Sequence, residues 1–259
     1  MKQLFRQLHT YLPAAAALAL LVLLWQLLAS SPLVPGYLLP APTEVLSALV
    51  ADRALLLQHS AITLQEALIG LSVGVALGFI AAVAMDALPL LRRALYPLLV
   101  ISQTIPTVAI APLLVLWFGY EMLPKIILIV LTTFFPITVG LLAGFAGADR
   151  DGVTLLRAMG ATRLQIFRFA LLPAALPQFF AGLRIAAAYA VVGAVISEWL
   201  GGFGGLGVYM TRVRKAFAFD KMFAVIILIA LLSLALMGLV ALLERRALPH
   251  LHIDKEERL

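Results

Sequence analysis

Long hydrophobic runs separated by short polar segments dominate the chain. Apolar blocks of about 20 residues, each long enough to cross a hydrocarbon layer of about 30 Å as a helix, recur along almost the whole sequence. They predict transmembrane helices near residues 12–29, 62–85, 94–118, 125–145, 174–196 and 222–243. The pattern therefore predicts an all-α polytopic membrane protein, with one transmembrane domain of six helices over residues 1–259.

The first apolar block has two interpretations. Lys2 and Arg6 precede it and small residues follow it at 29–31, an order that is also typical of a secretory signal peptide. The apolar run is longer than the usual signal-peptide core of about 7–15 residues. This length favours a retained first span over a cleaved signal.

The segment after the first block is irregular and then amphipathic. Four prolines between residues 31 and 42 exclude a single helix there. Residues 43–58 combine apolar and charged positions, so we expect one helix along the outer membrane interface.

Glycines mark close helix packing in the second block. Gly70, Gly74 and Gly78 recur every four residues, and such a stripe lets two helix backbones approach closely in lipid. The partner helix is either within the same subunit or across a dimer seam.

The third block is interrupted by proline. Pro106 follows the polar run at 102–104, and proline frees backbone carbonyls that must be satisfied inside protein or along a water-lined path. The pattern indicates either a broken helix that lines a passage or simple packing kinks. The residues that we predict along the pathway are Glu66, Gln103, Thr104 and Glu198.

A glycine-rich segment at 201–207 follows the fifth block. Because glycine leaves the backbone free, this segment predicts a loop with almost no side-chain constraint. It is not a phosphate-binding P-loop, since no Gly-Lys-Ser/Thr sequence occurs in the chain.

The amino-acid composition excludes several classes of protein. Hydrophobic residues make up 63% of the chain and charged residues 12%, which leaves no soluble domain. The net charge of +6 matches basic cytoplasmic loops better than a nucleic-acid partner. The absence of cysteine excludes disulfides and thiolate metal sites, and the four histidines, at ends or in loops, predict no metal site.

Lysine and arginine placement predicts the orientation. With both termini cytoplasmic, twelve of these residues lie inside and six outside, as the positive-inside rule requires. The outer set includes Lys125 and a cluster at 212–215.

The loop at 149–173 is the longest charged segment between two apolar blocks, and it contains four arginines. Asp149 and Asp151 can cap a helix that begins near Gly152, and Gly160 can end it in a left-handed conformation. Thr162 can cap a second helix that ends at Pro173. Two short helices around a small, apolar corner predict a cytoplasmic element that docks into a groove of another protein.

The loop resembles the cytoplasmic signature of bacterial ABC importer permeases, which reads E-A-A, three residues, Gly, nine residues, Ile, one residue, Leu-Pro. Gly160, Ala170 and the pair at 172–173 occupy the later positions, whereas Thr-Leu-Leu at 154–156 replaces E-A-A. Residues 105–119 also resemble the third-span motif of the nitrate, taurine, alkanesulfonate and thiamine-precursor permeases. The similarity extends over about residues 32–246.

The resemblance implies a type I (MetI-like) ABC importer permease fold in the bacterial inner membrane. It implies a second permease subunit, most simply an identical one, two ABC ATPase subunits that bind ATP-Mg, and a periplasmic or lipid-anchored binding protein. This chain would then be a transport subunit without enzymatic activity or a cofactor of its own. The residues that would contact the ATPase are Thr154, Leu155, Leu156, Arg157, Ala158, Met159, Gly160, Ala161, Thr162 and Arg163.

Two further segments, 63–70 and 192–201, look most like permeases for the pyrimidine precursor of thiamine, hydroxymethylpyrimidine. Aliphatic sulfonate, taurine or nitrate is the alternative substrate. An ATP-independent channel or carrier is the alternative of another class, but such proteins usually place ionisable residues within several spans. A membrane-embedded enzyme lacks a predicted catalytic set at membrane depth.

Overall fold

The computed structural model describes residues 2–32, 35 and 38–249. Its regular elements are helices: α1 (Lys2–Ala29), α2 (Pro42–Ala51), α3 (Arg53–Ala87), α4 (Pro89–Ser102), α5 (Thr107–Phe118), α6 (Met122–Ala146), α7 (Arg150–Ala158), α8 (Arg163–Ile166), α9 (Leu172–Leu200), α10 (Leu206–Lys215) and α11 (Phe219–Ala247). A π-helical turn, Phe167–Leu171, joins α8 to α9. The predictions for the C-terminal tail, including His250 and His252, fall outside the described residues.

The all-α membrane architecture is confirmed. Five continuous helical segments in the described part are long and apolar enough to cross a membrane: Leu12–Ala29, Arg53–Ala87, Met122–Ala146, Arg163–Leu200 and Phe219–Ala247. The pair α4 and α5 also qualifies, but the two helices are bent by 98° at their junction. Counting that pair as one broken span gives the six predicted spans.

The break between α4 and α5 has a local cause. Pro106 has no N–H to donate to a helical carbonyl. The hydroxyls of Ser102 and Thr104 donate to the carbonyls of Leu99 and Ile101, at 2.7 and 2.8 Å, and such bonds compete with regular helix geometry. The prediction of an interrupted third block is therefore confirmed as a sharp break rather than a gentle kink.

Two predicted helix boundaries are wrong. The amphipathic helix predicted at 43–58 is divided at Asp52, and its second half belongs to α3, which runs without a break through the polar residues at 58–60 into the second span. The second loop helix does not end at Pro173. The π-helical turn shifts the register so that Pro173 lies in the first turn of α9, where its missing N–H does little harm.

The structure consists of two units, which we describe separately: Met1–His59 with Tyr209–Leu228, and Ser60–Val208 with Ile229–Leu259. In the first unit, the indole of Trp25 donates to the carbonyl of Pro40 at 3.1 Å. The ring of Trp25 also packs on Phe223, with 5.7 Å between centroids.

Glycines allow the second unit to pack tightly. A Cβ added to Gly140 would lie 2.8 Å from the carbonyl oxygen of Gln178, and one on Gly144 would lie 2.5 Å from the Cα of Ala175. The backbones of α6 and α9 are therefore in direct contact. The stripe Gly70, Gly74 and Gly78 packs against Ile129, Thr133 and Ile137 of α6, so of the two interpretations of this stripe, packing within one subunit is confirmed.

We expect Gly144→Ala to reduce the yield and the thermal stability of the detergent-solubilised protein. The added methyl group would overlap the backbone of α9, and a rigid backbone cannot yield as a flexible side chain can. Gly238→Ala in α11 is the matched control, since its Cβ would meet nothing within 4 Å. Equal melting curves for the two variants would contradict the proposed close contact of α6 and α9.

Candidate functional site

The loop helix α7 is capped at its start by Asp149. The carboxylate of Asp149 accepts from the backbone N–H groups of Asp151 and Gly152, at 3.1 and 3.2 Å. These bonds satisfy two of the N–H groups that a helix start leaves without partners. The predicted capping role of Asp149 is therefore confirmed, with the helix beginning at Arg150 instead of near Gly152.

Gly160 ends α7 in the predicted left-handed conformation, with φ of 82°. The N–H of Gly160 donates to the carbonyl of Arg157 at 3.0 Å, and the N–H of Ala161 donates to that of Leu156 at 2.9 Å. This pair of bonds is the Schellman arrangement, which satisfies the last carbonyls of a helix and turns the chain sharply. The corner at 160–161 is thus fixed by hydrogen bonds.

A reciprocal capping box starts the next helix. The N–H of Gln165 donates to the hydroxyl of Thr162 at 3.3 Å, and the side chain of Gln165 accepts from the N–H of Thr162 at 2.7 Å. The predicted cap at Thr162 is confirmed. The role of Gln165 was missed, although Thr-x-x-Gln before an apolar run is a readable capping signal.

The surface of this loop is exposed and partly apolar. Leu155 and Met159 are 62% and 75% exposed, and the Arg157 and Arg163 side chains around them are exposed too. Ile166 is buried, and the ring of the next residue, Phe167, packs on that of Phe145 in α6 with 5.7 Å between centroids. The ten predicted coupling residues lie on one continuous, hydrogen-bonded element, and their contact with an ATPase stays a prediction.

Asp149→Ala is expected to destabilise α7 by about 1 kcal/mol, because it leaves two N–H groups of the first turn without their acceptor. Hydrogen–deuterium exchange of peptides that cover residues 150–158 should accelerate accordingly. Asp151→Ala is the control: its carboxylate complements the helix dipole but does not cap, so it should have the smaller effect. Faster exchange in Asp151→Ala than in Asp149→Ala would contradict the capping assignment.

Glu66 and Glu198, two of the predicted pathway residues, lie beside each other in a buried polar cluster. Glu66 forms a 2.5 Å ion pair with Lys125. Glu198 accepts from the hydroxyl of Thr63 at 2.7 Å and from the N–H of Gly207 at 2.6 Å. Both carboxylates are thus held by α3, α6 and the start of α10.

Sequence reasoning missed Lys125 and Thr63 as members of this cluster. Lys125 was counted among the outer basic residues, but its side chain is only 7% exposed. Glu66 itself was the sequence signal for such a cluster, since a carboxylate within an apolar helix requires a cation or several hydrogen-bond donors as partners.

The prediction that the glycine segment at 201–207 has almost no side-chain constraint is wrong. A Cβ on Gly202 would lie 3.2 Å from Nζ of Lys125, and one on Gly204 would lie 2.6 Å from Cδ1 of Ile62. Gly205 has φ of 111°, and a Cβ added there would overlap the carboxylate of Glu198. The glycines therefore allow the backbone to wrap closely around the buried cluster.

The other two predicted pathway residues lie at the break between α4 and α5. Gln103 lines a cavity of about 520 Å³ together with residues of α5, α6 and α9. Thr104 does not line it, and its hydroxyl donates to a carbonyl of α4. Neither Glu66 nor Glu198 lines this cavity. A role of the four residues in transport stays a prediction.

A second polar network lies in the unit that contains α2. Asp52 forms a 2.8 Å ion pair with Lys221 and accepts from the hydroxyl of Tyr209 at 2.5 Å. The Lys221 ammonium and the Tyr209 hydroxyl hold the pKa of Asp52 below its ordinary value. This network connects the turn between α2 and α3 to α10 and α11.

The chain matches the family described as binding-protein-dependent transport system inner membrane component over residues 74–249. It is 39% identical over 231 residues to the formylaminopyrimidine transport permease protein ThiX of Halalkalibacterium halodurans, covering 89% of this chain and 92% of that protein. It is 32% identical over 240 residues to the taurine transport system permease protein TauC of Escherichia coli, covering 90% and 87%.

A solved structure gives the same fold. The inward-facing MetNI methionine ABC transporter includes a chain that superposes with a TM-score of 0.62 at 20% identity, covering 76% of this chain and 97% of that one. The predicted type I importer permease fold is therefore confirmed.

Proposed function

The chain belongs to the family of binding-protein-dependent transport system inner membrane components, and we propose that it moves a thiamine pyrimidine precursor across the inner membrane as an ABC importer permease. A partner ATPase supplies the energy by hydrolysing ATP-Mg. A binding protein outside the cytoplasm delivers the solute, both termini of this chain are cytoplasmic, and a second identical copy completes the pathway.

The observation that supports ATP coupling most strongly is the rigid geometry of the loop from Asp149 to Arg163. Caps at both ends of α7 and the capping box at Thr162 fix the orientation of the exposed Leu155 and Met159. An element that receives motion from a partner must be rigid, because a flexible loop would absorb the displacement instead of passing it on.

A continuous helical segment connects this loop to the buried polar cluster. Residues Arg163–Leu200 form one segment of 38 residues, which spans about 57 Å at about 1.5 Å per residue. Glu198 lies near its far end and holds the start of α10. Closure of the ATPase would tilt this segment at the loop and therefore move the glycine segment at its opposite end. This movement would open the pathway alternately to the two sides of the membrane.

The proposed substrate follows from similarity to a permease whose printed substrate is formylaminopyrimidine. Taurine is the second candidate, since a taurine permease is also similar over nearly the whole chain, at lower identity. An ATP-independent carrier would use none of the loop geometry described above.

Proteoliposome uptake tests the proposal. The permease is reconstituted with its partner ATPase and binding protein, and uptake of labelled formylaminopyrimidine is compared with that of taurine. We expect uptake of the pyrimidine that requires both partners and hydrolysable ATP. Uptake of taurine but not of the pyrimidine would identify taurine as the substrate instead. Uptake without ATP or without the ATPase would overturn the assignment as an ABC importer.

A further inference from the structure

A cavity lies at the break between α4 and α5. It measures about 520 Å³ and lies among α4, α5, α6 and α9, within the size range of about 300–1,000 Å³ that is typical of small-molecule sites. We infer that this cavity is a solute-binding site for a neutral, planar heteroaromatic ring of the aminopyrimidine class. This inference rests on the proposed transport function.

The charge of the lining favours a neutral solute. Among the described residues that line the cavity, none is charged. Helices α6 and α9 each carry one basic residue, Lys125 and Arg184, and these pair with Glu66 and Glu244 at 2.5 and 3.2 Å. A sulfonate that enters this cavity would lose its hydration without gaining a cationic partner, which disfavours its binding.

The helix break supplies donors. The last four carbonyls of α4, at 99–102, each already accept at least one hydrogen bond within the break, so the groups left for a solute are the first N–H groups of α5. No side chain caps α5, whose N-cap is Pro106. The amide of Gln103 adds a donor and an acceptor. A ring with amino groups and ring nitrogens can bond to the Gln103 amide in both directions and also accept from the N–H groups of α5. A sulfonate can only accept, and the described lining offers no cationic side chain to balance its charge.

The remaining wall suits a flat apolar face. Tyr189 lines the cavity with its side chain 51% exposed, and Ile110, Val192 and Ile196 lie on the same lining. Aromatic rings associate by offset stacking or edge contacts, which stabilise the pair beyond the burial of its apolar area. Tyr189 is therefore the expected stacking partner of the ring.

Thiol protection in the purified permease–ATPase complex in nanodiscs tests this site. Because the chain has no cysteine, Ser102→Cys places a single thiol on the cavity lining with little change in volume. Ser31→Cys is the matched control: both hydroxyls donate to the carbonyl three residues earlier, at 2.7 and 2.8 Å, but Ser31 does not line the cavity. Maleimide labelling is followed with formylaminopyrimidine, with taurine and without ligand.

We expect formylaminopyrimidine at ten times its Kd to slow labelling of Ser102→Cys by about tenfold, since only the unoccupied site reacts. Labelling of Ser31→Cys should not change, and taurine should protect neither thiol. Adding Tyr189→Leu should remove most of the protection, whereas Tyr96→Leu, outside the cavity lining, should preserve it.

Two outcomes would overturn the inference. If the complex imports formylaminopyrimidine with its binding protein but the ligand does not protect Ser102→Cys, this cavity is not the binding site, while the proposed function stands. If taurine protects Ser102→Cys, the site accepts an acidic group and the assignment to a neutral ring is wrong. Absence of formylaminopyrimidine import would instead refute the proposed substrate, and the inference that depends on it.

Discussion

Gly160→Val is expected to abolish ATP-driven uptake while leaving the protein in the membrane. Gly160 has φ of 82°, and a Cβ there would meet nothing within 4 Å, so the cost is backbone strain and not a steric clash. A β-branched residue in the left-handed region costs roughly 1–3 kcal/mol. This penalty would shift the loop away from the Schellman corner that orients Leu155 and Met159.

Gly160→Asn is the matched control, since asparagine tolerates the left-handed conformation and the surrounding space is open. Proteoliposome uptake and ATPase co-purification are measured for both variants at equal amounts of membrane-inserted protein. We expect Gly160→Asn to retain most of the uptake. Normal uptake and normal ATPase co-purification in Gly160→Val would refute the role of this corner.

Lys125→Met is expected to cause the largest loss of stability in the chain. The change leaves the Glu66 carboxylate, which is 3% exposed, without its cation. Breaking a buried ion pair by removing one partner costs about 3–5 kcal/mol, since an uncompensated charge stays buried. The glycine segment that packs on Lys125 would lose its support as well.

Thermal unfolding in detergent checks this prediction. Arg184→Met is the control, because the Arg184–Glu244 pair is more open than the Lys125–Glu66 pair, with side chains 41% and 14% exposed, so losing its cation should cost less. The double variant Glu66→Leu/Lys125→Met should recover much of the loss, since apolar replacement removes the buried charge. A melting temperature of Lys125→Met equal to that of Arg184→Met would contradict the buried cluster.

The sequence predicts the local geometry of the loop well because its signals are local. An N-cap aspartate, a C-terminal glycine and a Thr cap each act within a few residues. Asp149, Gly160 and Thr162 therefore take their predicted conformations. The end of the second loop helix was wrong since a π-helical turn moved Pro173 into a tolerated position.

The polar cluster was not predictable in the same way, because its partners are far apart in the chain. Lys125 pairs with Glu66 across 59 positions, and Thr63 bonds to Glu198 across 135. Neither separation leaves a periodic signal in a single sequence. The glycine segment was misread for a related reason: its constraint comes from side chains on α3 and α6, which are distant in the sequence, as well as from α9.

Cross-linking from Met159 tests the central claim that this loop docks on the ATPase. Because the chain lacks cysteine, Met159→Cys, at a side chain that is 75% exposed, carries a benzophenone maleimide as its single probe. Phe203→Cys, at a residue that is 86% exposed beyond the other end of α9, is the control. In complexes that hydrolyse ATP, we expect a covalent adduct with the ATPase from Met159→Cys and none from Phe203→Cys. Equal adducts from both, or none from Met159→Cys, would contradict the claim.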